Sequence, residues 1–299
     1  MLRKGDLTQG GITGTLLHFT LPMMVGSFLQ QCYNIADTLI VGQCIGAGAL
    51  AAVGSAYTLM VFLISVLLGL AMGSGTVFSL HYGAGNHVAL RRSIFSSFVL
   101  IGIVTLILNV AVFIWLDPIL RLLQVPQDIY GMMRSYSWII FCGIVFTFIY
   151  NFYASLLRAV GDSVTPLWFL AVSVVLNIAL DLFFILQLDW GIQGAAAATV
   201  LAQGVAALGI IIYTYRRRPE LRWHHEDMCF DRTCLKEIAS FSTLTCVQQS
   251  VMNLGILMIQ GLVNSFGTAV MAAFAAGVKI DSFAYMPVKE FGNAFSTFI

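Results

Sequence analysis

The chain has 299 residues, 59% hydrophobic and 10% charged, with a mean hydropathy of +0.89 and a formal net charge of +1. Soluble domains carry about 25% charged residues, so this composition excludes a water-soluble enzyme and describes a polytopic membrane protein. The near-zero net charge gives no ground for a nucleic-acid partner.

Charge-free stretches mark the spans. No Asp, Glu, Lys or Arg occurs between Asp37 and Arg91, between Arg92 and Asp117, or between Glu237 and Lys279. With roughly 20 apolar residues needed per span, the pattern predicts eight helices, over about 16–41, 50–79, 93–116, 132–156, 164–187, 192–215, 237–264 and 269–299. Residues 1–14 are polar and glycine-rich, without a cleavable signal pattern, so the first helix is expected to act as its own insertion signal. Pro22 is expected to kink or start that helix. Gly, Pro, Asn and charge punctuate the chain at GQCIGAGA (42–49), HYGAGNH (81–87), DPILRLLQVPQD (117–128), RAVGDSVTP (158–166) and QLDWG (187–191). The longest polar stretch follows the sixth helix and reads as a linker with a short amphipathic segment, doubling as a hinge between two halves. His224, His225, Glu226 and Asp227 within it are adjacent and exposed, a poor metal site. The six cysteines, Cys32, Cys44, Cys142, Cys229, Cys234 and Cys246, make neither a disulfide framework nor a metal cluster.

Lys and Arg set the orientation. A cytoplasmic N-terminus puts eleven of them on the inside and two, Arg121 and Arg134, on the outside, leaving Lys279 and Lys289 in the last helix. The protein is therefore expected in the plasma (inner) membrane with its N-terminus inside.

The segment after the linker echoes the start. QQCYNIADTLIVG (30–42) lies over QQSVMNLGILMIQG (248–261), with Asn34 on Asn253 and Gly42 on Gly261, both offset by 219 residues. Ile256 stands opposite Asp37, so the acid belongs to one half. The predicted organisation is an all-α membrane protein with a six-helix N-lobe over 1–215, an interlobe linker over 216–236, and the first two helices of a repeated second lobe over 237–299. About four more helices are expected to follow, and a monomer when the protein is full length.

A carboxylate at membrane depth costs about 2.5–3.5 kcal/mol on insertion scales. Asp37 carries that cost in the first helix, where Gln30, Asn34 and Asp37 recur on one face. Asp181 carries it in the fifth, with Asn177 one turn before it. Both helices run outward, and each acid falls ~7–10 Å inside the outer boundary. Thr199, about 12 Å down the sixth helix, reaches the same layer. Converging carboxylate, amide and hydroxyl oxygens suit a hard cation such as Na⁺; two neighbouring carboxylates equally suit a proton carrier. The competing structural readings are that Asp181, near a helix end, snorkels or caps a loop, that Asn34, Asn177 and Asn253 link helices, and that Tyr33, Tyr150 and Tyr153 pack. Lys279 either pairs locally with Asp281 or faces a cavity.

The segments LPMMVGSFLQQCYNIADTLIVGQCIGAGALAAVGSA, HYGAGN, NFYASLLRAVGDSVTP, LNIALDLFFI, GIQGAAAATVLAQG and KIDSFAYMP…GNAFSTF resemble, in order and spacing, the multidrug and toxic compound extrusion (MATE) family in its prokaryotic DinF-like branch. The resemblance spans the whole chain. It implies two six-helix lobes around a central cavity and export of organic, often cationic, compounds against H⁺ or Na⁺ entry, with no other cofactor. It matches Asp37 to the family's helix-one acid and Asn177, Asp181, Thr199 and Asn151 to a polar network of the N-lobe. The chain departs from the family in stopping within the eighth helix. Gln30, Asn34, Asn151, Asn253 and Lys279 are the candidate cavity-lining residues, and small organic cations and membrane lipid the expected partners. The alternatives are a lipid-linked oligosaccharide flippase of the same superfamily, which would need a strongly cationic cavity, and an intramembrane enzyme. Against the enzyme, His18, His81, His87, His224 and His225 all sit in loops or at helix ends.

Overall fold

The structure, a computed structural model, describes residues 12–223, 232–266 and 268–298. Within them the long apolar runs fold as helices: α1 (Ile12–Cys44), α2 (Ala47–Gly83), α3 (His87–Leu122), α4 (Gln127–Cys142), α5 (Ile144–Ala159), α6 (Val164–Leu182), α7 (Gly191–Arg217), α8 (Arg232–Asn264) and α9 (Thr268–Phe298). Among the described residues, α2, α3, α6 with its extension, α7 and α8 are long and apolar enough to cross a membrane, and α4 with α5 adds a sixth span if the pair counts as one. The rim is what lipid solvates: Ile114 is 66% and Val175 70% exposed, while Trp115, Trp168 and Trp190 stand outward near helix ends, where indole favours the interface. His224, His225, Glu226, Asp227 and Cys229 lie outside the described residues, as do the basic Arg3 and Lys4. Cys32, Cys44, Cys142 and Cys246 are free thiols.

Glycine closes the first two turns. Gly46 at φ 117° and Gly85 at φ 67° take left-handed backbone that a side chain would strain. The Asn86 side chain then caps α3 by accepting from the Ala89 amide at 3.1 Å. Pro22 lies inside α1 rather than at its start, and α3 continues through Pro118 to Leu122, so the predicted outer loop is half helix. At that end of α3 Asp117 accepts from Arg134 at 2.8 Å and from the Tyr130 hydroxyl at 2.8 Å, tying α3 to α4.

Two predicted helices are not simple rods. The fourth is two helices, α4 and α5, bent by 48° about Gly143. At this bend a Cβ at Gly143 would stand 2.5 Å from the Val200 side chain, so glycine is what admits α7 this close. α7 is itself built for close approach, with Ala195, Ala196, Ala198, Ala202 and Ala207 buried along it. The fifth ends in a π-helical stretch, Phe183–Gln187, where Phe184 stacks on Trp190 at 5.1 Å between centroids. Such wide turns recur at functional sites, and this one begins two residues after Asp181.

Helix contacts in lipid depend on small residues and hydrogen bonds, because tails are as apolar as leucine. α2 meets α8 in that way. A Cβ at Gly69 would strike the Cys246 backbone and one at Gly73 the Ser242 backbone. Ser242 donates to the Leu70 carbonyl at 3.1 Å, and His81 approaches Glu237 to 3.4 Å along the same contact. At the opposite side of the bundle base, Asp162 accepts from the Thr165 amide at 3.0 Å and pairs with buried Arg218 at 3.4 Å, locking the start of α6 to the end of α7. Trp223, in the predicted linker, packs against Phe95, Phe98 and Tyr215, so the chain leaving α7 folds back onto α3.

Candidate functional site

Three helices, α1, α6 and α7, meet around Asp37. α1 contributes Asp37 and, one turn earlier, Tyr33; α6 contributes Asn177 and Asp181, also one turn apart; α7 contributes Thr199. All four residues expected from the sequence to form the core of the site are buried: Asp37 at 7%, Asp181 at 0%, Asn177 at 1% and Thr199 at 5% exposure. The two acids do not face opposite sides of the bundle. Asp37 is the neighbour of Asp181, within side-chain hydrogen-bonding reach of it. Complete burial of Asp181 removes the reading in which it snorkels to the surface.

The neutral groups close a chain beside the carboxyl pair. Asn177 Nδ2 donates to Thr199 Oγ1 at 3.3 Å, and Thr199 Oγ1 meets Tyr33 Oη at 3.2 Å. These donors are spent on one another. Among the described residues no hydroxyl or amide donates to either Asp181 oxygen or to Asn177 Oδ1. Buried oxygens without donors are costly unless something positive comes to them. The arrangement therefore presents acceptor oxygens from three helices with no Arg, Lys or His paired to Asp181. It can hold a proton between two carboxyl groups or a hard monovalent cation among oxygens. No group of three or more His, Cys, Asp or Glu with metal-site geometry occurs among the described residues, and the donor set is wrong for a thiolate- or imidazole-loving metal.

The other candidates lie around or away from this core. Asn34 donates to Gln31 Oε1 at 3.1 Å and to Tyr57 Oη at 3.3 Å, linking α1 to α2 rather than joining the acid pair. Gln30 is half-buried one turn further in. Asn151 and Asn253 each donate to the carbonyl one turn earlier in their own helix, Thr147 and Gln249, at 2.8 Å. The Lys279 side chain lies outside the described residues. Tyrosines complete the surroundings: both acids lie within electrostatic reach of Tyr33 and Tyr136, and Tyr57 stands beside them. Tyr33 could have been read from its place one turn before Asp37; no sequence signal marks Tyr57 or Tyr136.

The sequence pattern of the family described as MatE matches residues 22–183, which runs from within α1 to the end of α6 and takes in both acids. The chain belongs to the MatE family. This MatE chain is 32% identical over 300 residues to the "Probable multidrug resistance protein YpnP" of Bacillus subtilis, across 98% of its own length and 65% of that protein's. It is 31% identical over 210 residues to the "Multidrug export protein MepA" of Staphylococcus saprophyticus, across 68% of this chain and 45% of that one. Among solved structures it overlays, with a TM-score of 0.89 and 23% identity, on a multidrug resistance MATE family transporter of the MOP superfamily in its outward-facing conformation, covering 100% of this chain and 66% of that one. That likeness establishes the fold: an all-helical, multi-pass MatE arrangement, as the apolar runs predicted. These proteins are described as transporters or export proteins, in keeping with a chain that is not an enzyme. The MatE chain spans 65% of the length of YpnP.

Proposed function

We propose that the protein is a secondary active antiporter that exports small organic, often cationic, compounds against entry of H⁺ or Na⁺. The observation that carries this reading is the buried Asp37–Asp181 pair, with oxygens on Asp181 and Asn177 to which no hydroxyl or amide among the described residues donates. Binding of a positive ion there changes the charge of the junction between α1, α6 and α7. An ion that binds one arrangement of those helices more tightly shifts the balance between inward- and outward-open states by its differential affinity. The names of the relatives support the substrate class.

In this reading residues 1–215 form the first lobe, 216–236 the linker and 237–299 the beginning of the second, with the N-terminus on the cytoplasmic side of the plasma membrane and the whole protein working as a monomer. The Lys and Arg asymmetry of the loops supports the orientation. The flippase alternative gains no support, because Arg218, the basic residue buried among those described, is engaged at a helix end by Asp162 and Glu220.

The test is efflux of a fluorescent organic cation from proteoliposomes, with a pH gradient and a Na⁺ gradient imposed separately. One gradient should drive export and Asp37→Asn should abolish it with insertion intact. Unaltered gradient-driven efflux in Asp37→Asn overturns the assignment.

A further inference from the structure

A second buried carboxylate lies outside the Asp37 site. Glu290 in α9 is 8% exposed. Its Oε1 accepts from Ser27 Oγ of α1 at 2.8 Å and its Oε2 from Asn293 Nδ2 at 3.4 Å. Ser27 precedes Asp37 by ten residues on the same helix, ~15 Å along its axis, so the two sites are separate.

The surroundings of Glu290 are those of a packing position. On α1, Leu16, Phe19, Met23 and Ser27 follow one another at helical spacing, a single stripe. On α9, Phe283, Pro287, Glu290 and Ala294 do the same. Phe28 meets Phe283 at 5.8 Å, and Leu16, Phe19 and Met23 bury Ala294. Glu290 is thus the one charged side chain on a stripe formed otherwise by Phe283, Pro287 and Ala294. Both its partners are neutral, and none of the ion pairs among the described residues involves it. A carboxylate held only by neutral donors in an apolar seam is poorly compensated. Both helices also carry a proline near this point, Pro22 and Pro287. Each proline removes one helical hydrogen bond, which makes bending there easier.

We propose that Glu290 is a cation-selecting residue on the substrate path, masked here by Ser27 and exposed when α1 and α9 part. It then takes the ammonium, phosphonium or amidinium group of a substrate, replacing two neutral hydrogen bonds with a charge contact. This rests on the transport reading above but concerns a different helix pair from the coupling acids.

The experiment compares Glu290→Gln and Ser27→Ala with wild type in proteoliposomes. KM and kcat are measured for tetraphenylphosphonium and for a neutral compound that wild type also exports. Glutamine still accepts from Ser27, so a residue that merely links two helices would tolerate it. We expect Glu290→Gln to raise KM for tetraphenylphosphonium about tenfold, the loss of one charge contact, with KM for the neutral compound and the gradient dependence unchanged. Ser27→Ala keeps the carboxylate and should leave KM for the phosphonium equal to or below wild type. Should Glu290→Gln not fold, a rise in phosphonium KM in Ser27→Ala overturns the proposal and an unchanged or lower one supports it. Equal kinetics for wild type and Glu290→Gln, or equal losses for both substrates, overturn the proposal while leaving antiport intact. Wild type that moves no cation under either gradient overturns the transport reading and this proposal with it.

Discussion

Two buried carboxylates meet α1 from different neighbours, Asp181 from α6 and Glu290 from α9, and they are satisfied in opposite ways. Both Glu290 oxygens receive a neutral donor, one of them from α1 itself. Neither Asp181 oxygen does, although hydroxyl and amide groups stand within the same cluster. The Thr199 hydroxyl, Asn177 amide and Tyr33 hydroxyl bond to each other, so the polar groups near Asp181 order one another without quenching it. A carboxylate with a neutral donor on each oxygen links two helices until a charged group displaces those donors. An unsatisfied one keeps a place for something positive that arrives and leaves. The same helix thus carries a candidate ion-binding point towards one end and a candidate latch nearer the other.

Removing the charge at the unsatisfied acid should have the largest effect. Asp181→Asn keeps the shape of the side chain but leaves a single carboxylate at the junction. We expect gradient-driven efflux to fall by about a hundredfold or more, the range for breaking a buried charge arrangement, with membrane insertion unchanged in a fluorescent fusion. A variant that still couples efflux to either gradient at the wild-type rate would mean that Asp37 acts alone and that the pair is incidental.

Thr199→Val should come next. Valine matches threonine in volume and removes the one atom at which Asn177 and Tyr33 meet. Loss of that node leaves a buried amide without its acceptor, and the half-saturating concentration of the coupling ion should rise by roughly tenfold. Unchanged ion affinity would separate the neutral chain from the carboxyl pair and reduce it to helix packing.

The latch predicts a different kind of loss. Ser27→Ala strips one donor from Glu290 and should lower stability by about 1–3 kcal/mol, read as a lower melting temperature in detergent. Coupling-ion affinity should not move, because Asp37 and Asp181 keep their surroundings. A variant with normal melting and altered ion affinity would reverse the roles assigned to the two ends of α1.

The two acids of the candidate site were legible because a charge inside a long apolar run is conspicuous, and their spacing from the helix ends put them at one depth. Thr199 followed from the same count. Tyr57 and Tyr136 were not legible, since a tyrosine in a membrane helix presents the same letter whether its hydroxyl serves a site or a neighbour. Glu290 was hidden for another reason. It follows Lys289 and shares its helix with Lys279 and Asp281, so it reads as one more charge near a helix end. Its burial comes from α1, more than 250 residues earlier in the chain. The need for glycine at 143 was hidden in a similar way: FCGIVF resembles any glycine-containing span, and the group that demands the glycine, Val200, belongs to another helix.

The internal repeat supplies the smallest expected effect and a direct check on the one-sided site. Asn253 is the repeat counterpart of Asn34, yet the two are used differently. Asn34 reaches across to Tyr57, whereas Asn253 spends its amide on the Gln249 carbonyl of its own helix. With Ile256 where the first half has Asp37, the second copy has lost both the acid and the cross-helix bond. Asn253→Ala should therefore change stability by no more than about 0.5 kcal/mol and leave efflux and ion affinity at wild-type values. Asn34→Ala, which removes the amide bonded to Tyr57, should do measurably more. If Asn253→Ala instead impaired coupling as strongly as Thr199→Val, the second half would hold part of the ion site, and the asymmetry read from Asp37 and Ile256 would be wrong.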